Sequence, residues 1–500
     1  MIRAWRMLKT PMKDITLRLD RLGLKVPEIL IPAAGVDLQK WAVIACDQYT
    51  QDRRYWERAV EFAGDAPSAL KIVFPEVYLD DGDRPRRVED IHRTMDAWIG
   101  GGVFALPREG CVYVERSTPF HPRRRGLVVA LDLERYDWTP GSRPLIRATE
   151  GTVPERLPPR MNIRRGASLE IPHILILVDD EGDTLLPELG RRAARGAPAY
   201  RSPLMMGGGE ISGWFLDAED DLAFLAGALE GLEQRAADRY GVRDSGPFLY
   251  AVGDGNHSLA AAREIWLECK KAREGGPAAP AEGGPAEPFP ATRWALVEME
   301  NLYDPGIQFE PIHRVLFGVD FDGALDILSS LPGFSRRIID GGNSGADKDE
   351  LVRLVGDGEA AKTRMGLVSG GRRALVETEA PGLATVPLQP LLDGWLARQA
   401  PGAAIAAAGG AEEGGGGTGR KNGGARAGRP SIDYIHGAEE LFRLAEDPEK
   451  PAAGILLPPV KKSGLFETVA RTGPLPRKSF SMGESVEKRY YLECRRLFGV

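Results

Sequence analysis

Five short apolar runs, each closed by polar residues, constrain the fold more than any other feature of this chain. They are "WAVIAC" (41–46), "GLVVALDL" (126–133), "HILILVDD" (173–180), "FLYAVGD" (248–254) and "RWALVEMEN" (293–301). Runs of this length, rich in β-branched and aromatic residues, are expected as strands buried on both faces of a sheet, with their polar ends at its mouth. Helical spacing lies between them. Leu222, Leu225, Leu229 and Leu232 recur at three and four within 219–240, and Leu259, Ala262, Trp266 and Cys269 share one face after Ser258. Strands and helices mix without strict alternation, so the expected class is α+β (mixed α/β), a central mixed sheet with surrounding helices. Further along, 437–446 is expected as a helix and 453–457 as a strand. "DGGNSGADKDE" (340–350) reads as a surface loop, and the closing stretch as a basic loop with a helix starting at Ser481 or Glu484.

A chain of 500 residues exceeds the size at which one core keeps growing, so more than one domain is expected. Two stretches are too rich in Gly, Pro, Ala and Glu to bury apolar area: 272–291 and 401–430, the second without any aromatic residue. The expected order is an N-terminal α/β domain (1–271), a flexible insertion (272–291), a continuation of the core with a second subdomain (292–400), a Gly-rich insertion (401–430) and a C-terminal α/β segment (431–500). A formal net charge of −7 disfavours nucleic acid as a general partner. Cys46, Cys111, Cys269 and Cys494 stand far apart with no C-x-x-C pair, which suits reduced thiols. Charges interrupt the basic N-terminus, and no run approaches the roughly 18 apolar residues of a membrane span. The expectation is a cytoplasmic protein without a membrane partner; the sequence sets no oligomeric state.

The polar end of the fourth run, "GDGNHS" (253–258), leads straight into an Ala-rich helical segment. Gly253 and Gly255 allow a sharp bend that exposes backbone N–H groups. Asn256 or Ser258 is placed to cap the helix. A helix start is a ready anion site; Asp254 is then a candidate carboxylate and His257 a candidate acid, base or anion contact. The alternative is a capped turn whose side chains bond only nearby backbone. Leu259 and Ala260 occupy the place where a dinucleotide fingerprint needs glycine, which disfavours a Rossmann reading.

Other candidates surround this turn in the sequence. Residues 143–165 carry six arginines against two glutamates, among them Arg147, Arg156 and Arg160, with Thr149, Glu150 and Thr152 between them. Guanidinium forks match phosphate and carboxylate oxygens; the plain alternative is a solvated loop of Arg–Glu pairs. Gly207, Gly208 and Gly209 in "LMMGGGEISGW" form either a hinge or an anion-admitting concavity. His313 and Arg314 in "FEPIHRVLFG" sit at the junction to an apolar element, a position more often structural than catalytic. In "ACDQYTQDRRYW" (45–56), Cys46, Asp47, Gln48 and Tyr49 end a run, and Cys46 is a nucleophile only if its pKa is depressed. Scattered histidines and the lack of H-x-x-x-H or C-x-x-C spacing speak against a metal cage, and no metal ligands are assigned.

Together "GVDLQKWAVIACDQYTQDRRYW", "DAPSALKIVFPEVYL", "LIRATEGTVPERLPPR", "LMMGGGEISGW", "AVGDGNHSLAAA", "FEPIHRVLF" and "PRKSFSMGE" resemble domain-of-unknown-function family 1015, a prokaryotic group of cytosolic proteins. The resemblance runs in order over nearly the whole chain outside the two low-complexity stretches. That family in turn looks like a distant relative of the ParB/sulfiredoxin-like superfold. Its members bind nucleotides or phosphates near a "DG-x-HR" turn and include partition NTPases, an ATP-dependent sulfinic-acid reductase and a free-serine kinase. The resemblance implies a phosphate-binding role for Asp254, Gly255, Asn256 and His257. Ser258 stands where those relatives have arginine, so another cation must replace it, with Arg147, Arg156 and Arg160 as the candidates.

Two functions stay open at this point. One is a phosphotransferase acting on a small, amino-acid-like molecule with ATP or ADP and Mg²⁺, in which Asp254, His257 and Glu150 carry the chemistry. The other is a non-catalytic regulator that binds a nucleotide or another phosphorylated or anionic metabolite in the same place.

Overall fold

The computed structural model describes residues 12–241, 247–274, 291–339, 344–357, 362–380, 382–399 and 430–498. Residues 275–290 and 401–429, nearly all of the two low-complexity stretches, lie outside them, so the expectations placed there concern residues that are not described. The chain divides into two units: Met1–Gln308 with Val469–Pro474 and Met482–Val500, and Phe309–Thr468 with Leu475–Ser481.

The first unit is built on a mixed sheet. Its strands, in chain order, are β1 (Leu24–Lys25), β2 (Cys111–Ser117), β3 (Arg124–Asp132), β4 (Ile146–Ala148), β5 (Leu175–Val178), β6 (Tyr200–Pro203), β7 (Glu210–Leu216), β8 (Tyr250–Asp254) and β9 (Trp294–Asn301). They lie in the order β4-β8-β5-β9-β3-β2-β7-β6, with β1 paired to β3. β8 runs parallel to β4 and β9 parallel to β5; β8 with β5 and β9 with β3 are antiparallel. Four of the five apolar runs are therefore central strands. Their alternate residues serve two cores, because strand side chains point to opposite faces in turn. Leu127, Val129 and Leu131 join one cluster with the helices Glu219–Tyr240 and Asn256–Glu274, whereas Val112, Val114 and Val128 join the other with Trp41, Trp56 and Tyr490.

The fifth run departs from expectation. Trp41 ends a short helix (Leu38–Trp41), and Ile44 makes only an isolated bridge to Tyr490. Its partner is the closing segment of the chain: Ala45 N–H donates to the Arg489 carbonyl and Tyr491 N–H to the Val43 carbonyl. That segment holds a single 3-10 turn, Ser485–Glu487, instead of the expected helix. Arg116 donates to the carbonyls of Val486, Glu487 and Lys488, and Arg124 to that of Glu487. Carbonyls drawn to buried guanidiniums are turned away from a helix axis, and the chain there makes only the 3-10 turn.

The second unit has its own sheet of β10 (Phe309–Phe317), β11 (Ser335–Ile338), β12 (Thr363–Ser369), β13 (Arg372–Thr378), β14 (Ser431–His436) and β15 (Ala452–Leu456). They are ordered β11-β13-β12-β15-β10-β14. The helix Ala438–Ala445 and strand β15 match the expected pair at 437–446 and 453–457. The expected loop at 340–350 is instead largely the first part of a helix, Ser344–Gly356, whose buried Leu351 and Val355 lie beyond the stretch that suggested a loop. Among the described residues no helix is long and apolar enough to cross a membrane.

Candidate functional site

β4 and β8 run side by side in parallel, so the loop after Ala148 and the turn after Asp254 emerge at the same edge of the first unit's sheet. Gly255 makes the turn with φ +78°, a left-handed conformation that glycine adopts without strain. Gly253 is needed for a different reason: a Cβ there would lie 2.7 Å from Met482 Sδ. The two segments are stitched together. Thr149 Oγ1 donates to the Val252 carbonyl (2.5 Å), Asn256 Nδ2 to Thr149 Oγ1 (3.5 Å), and Val153 N–H to His257 Nε2 (3.2 Å). Asn256 is the first residue of the helix, and Ser258 reaches His173, so neither side chain caps it. Asn256 Oδ1 is buried with no hydrogen-bond partner among the described residues.

Four residues outside the sequence-derived set, Lys488, His173, Tyr491 and Glu76, complete the site together with Asp47. Lys488 Nζ lies 3.3 Å from Asp254 Oδ2, with the lysine side chain 8% and the aspartate 23% exposed. His173 Nε2 is 2.9 Å from Ser258 Oγ and 3.9 Å from Asp47 Oδ2. On its other nitrogen, His173 Nδ1 is 2.9 Å from the Tyr491 hydroxyl, whose oxygen accepts the Cys46 N–H at 3.1 Å. Glu76 N–H donates to the Cys46 carbonyl, and its carboxylate pairs with Arg160. Burial works against ionising Asp47, but His173, the Gln48 amide, Lys488 and Arg160 outweigh it and hold the carboxyl below its ordinary range. Glu76 goes the other way. Burial pushes it up to about 7, only partly offset by Arg160, with Asp47 adding to the rise and Arg156 opposing it. Two neighbouring carboxyl groups are thus driven apart, the pattern that separates proton-carrying from charged roles in active sites. Burial raises the Cys46 thiol well above its usual value, which removes the condition for a nucleophilic cysteine.

The remaining sequence candidates fall in several places. Glu150 is half-buried two residues past β4, and the Thr152 hydroxyl is buried beside Tyr136. Arg156 faces Glu76 and accepts at its carbonyl from Arg160 (2.8 Å). Arg147 turns the opposite way. Its guanidinium donates to the Pro144 carbonyl and stacks on Phe248, at the starts of β4 and β8 rather than their ends. Arg164 and Arg165 pair with Glu170 and Glu268. Two of the three consecutive glycines serve packing: a Cβ on Gly208 would meet the Tyr490 hydroxyl at 2.3 Å, and one on Gly209 the Ser117 carbonyl at 2.0 Å, whereas Gly207 has φ +77° and open space around it. His313 and Arg314 belong to the second unit. His313 Nδ1 accepts the Leu457 N–H, and burial, Arg314 and His436 push it down to about 4. Arg314 is wholly buried against Gln389, the Ile312 and Lys478 carbonyls and the Tyr434 ring. Among the described residues no three His, Cys, Asp or Glu side chains are arranged to hold a metal ion.

A family model described as protein of unknown function (DUF1015) matches residues 30–394. No curated protein matches the chain. Among solved structures, it is similar to a free serine kinase in complex with AMP, at 12% identity over 73% of this chain and 90% of that one, with a TM-score of 0.35. It is also similar to a conserved hypothetical protein from Pyrococcus furiosus (11%, 73% and 93%, 0.33) and to SbnI with a C-terminal truncation from Staphylococcus aureus (8%, 71% and 82%, 0.32). Scores of this size carry nothing about activity.

Proposed function

The chain belongs to the DUF1015 family, and we propose that its first unit is a phosphate-binding enzyme, a phosphotransferase that acts on a small, amino-acid-like hydroxyl compound with ATP or ADP. One observation carries this reading: Lys488 and Arg160 converge on Asp254 and Asp47, where the loop after β4 meets the turn after β8. Phosphoryl transfer requires positioned donors, cations to offset phosphate charge, and a carboxylate to orient the attacking hydroxyl. Lys488 and Arg160 are the proposed cations, with Arg156 behind them. Lys488 supplies the charge absent from position 258. Asp254 takes the hydroxyl proton while the substrate oxygen bonds to the terminal phosphorus and the phosphorus–oxygen bond to the shortened nucleotide breaks. His257 and Glu150 are proposed to line the same place, as is the ParB/sulfiredoxin-like character of the turn. Mg²⁺ bound with a nucleotide offsets phosphate charge and takes one or two carboxylates; Asp47 fits that need.

Calorimetric titration of the purified chain with ATP, ADP and CTP, with and without Mg²⁺, tests the reading. Binding of at least one is expected. Asp254→Asn should keep that binding and lower turnover about 100-fold or more. No heat with any of the three removes the proposal; binding without turnover in the unaltered protein assigns the regulator instead. Retention of duplex DNA on filters at low salt is not expected.

A further inference from the structure

Ser258, His173 and Asp47 have the look of a nucleophile, a base and an acid, but their hydrogen bonds point the other way. The proton order can be followed from the backbone outward. Tyr491 is buried and its oxygen accepts the Cys46 N–H. The phenol therefore has one proton to give, and His173 Nδ1 stands 2.9 Å away. The Cys46 thiol also lies against the phenol, but a protonated sulfur is a poor acceptor beside an imidazole nitrogen. An imidazole that accepts at Nδ1 carries its proton on Nε2 when neutral. Asp47 Oδ2, 3.9 Å from Nε2, favours the same tautomer. Nε2–H then donates to Ser258 Oγ. The serine's own proton must go elsewhere, and among the described residues no side-chain or backbone acceptor takes it.

We propose that Tyr491 and His173 are positioning residues that fix Ser258 as a hydrogen-bond donor to a phosphate oxygen, and that Ser258 is not a nucleophile. The ligand half of this proposal rests on the phosphate-binding reading above; the proton order does not. A hydroxyl locked in this sense selects an acceptor oxygen over an ammonium or amide N–H.

The test uses the full chain labelled with ¹⁵N-histidine at pH 8, with His173→Gln to identify the signals. His173 is expected to show an unprotonated Nδ1 and a protonated Nε2, and Tyr491→Phe should shift it towards a mixture of tautomers. Protonated Nδ1 in the unaltered protein overturns the proposal, as does labelling of Ser258 by a fluorophosphonate. With ADP as the probe, Ser258→Ala should weaken binding about tenfold, and Ser258→Thr should restore it to within about twofold. Equal ADP binding by the parent and Ser258→Ala overturns the donor role. Failure of ATP, ADP and CTP alike to bind the parent removes the phosphate reading and the ligand half with it, while the imidazole signals still decide the proton order.

Discussion

Lys488 and Arg489 are consecutive residues in opposite surroundings. Arg489 is 1% exposed, pairs with Glu298 and Glu493, and donates to the Pro172 carbonyl. With Arg116 and Arg124 it ties the closing segment to the sheet. Lys488 reaches Asp254 at an edge where Asp47, His173 and Ser258 keep partial access to solvent. In the first cluster Arg489 meets two carboxylates and Arg116 meets backbone carbonyls. In the second, one buried oxygen and one hydroxyl proton are left over. Burial with matched partners marks architecture, and half-burial with unmatched groups marks a place where something else binds. The same contrast separates two motifs of similar look, the half-exposed Asp254–His257 turn and the buried His313–Arg314 pair.

Breaking the anchor should give the largest effect. Arg489→Met leaves Glu298 and Glu493 buried without a cation, which should cost about 3–5 kcal/mol in urea unfolding. Lys488→Met, one residue away, should cost about 1 kcal/mol, yet weaken ADP binding about tenfold. Equal losses of stability would erase the distinction.

Glu76 sharpens the comparison through pH. Its folded pKa of about 7 lies above the ordinary 4.5, so the fold favours the protonated form. That contribution is full below about 4.5 and gone once the pH has risen past about 7. The stability of Glu76→Gln relative to the parent should therefore rise across this window, by about 3 kcal/mol at most, in unfolding curves taken from pH 4 to 8. A flat difference would mean that Glu76 is well solvated. Next in size is Gly208→Ala. The added methyl meets Tyr490 of the closing segment and should cost about 1–3 kcal/mol in the same assay.

The central strands were legible because an unbroken β-branched run has few ways to be buried. The turn was legible because glycine flanks an acid, an amide and an imidazole. Asp47 was noticed at the end of its run without a partner to give it meaning. Glu76, His173, Lys488 and Tyr491 were missed because each is ordinary in its local context. They meet Cys46, Ser258 and Asp254 across up to 445 residues of chain, and no local pattern records that. The helix expected at Ser481 or Glu484 failed for a related reason: its carbonyls are claimed by Arg116 and Arg124, more than 360 residues earlier. The Ser344–Gly356 helix was hidden by its Gly- and Asp-rich first turns, since its apolar face begins only at Leu351.

Arg147 gives the smallest expected effect and the finest division within one sequence feature. Six arginines in 143–165 suggest a single cationic patch, but the sheet separates them. Arg147 lies at the start of β4, and burial, with Arg143 nearby, pushes it down to about 10. Among the described residues no carboxylate pairs with it. A buried cation without a counter-charge contributes little, and its stacking on Phe248 can be kept by an apolar chain of similar length. Arg147→Met should therefore change stability by less than about 1 kcal/mol and leave ADP affinity within about twofold. Arg160→Met frees Glu76 and removes a charge that acts on Asp47, so it should weaken ADP binding several times more. If the two variants weaken binding alike, the arginines act as one patch, and the division drawn here between the two ends of β4 fails.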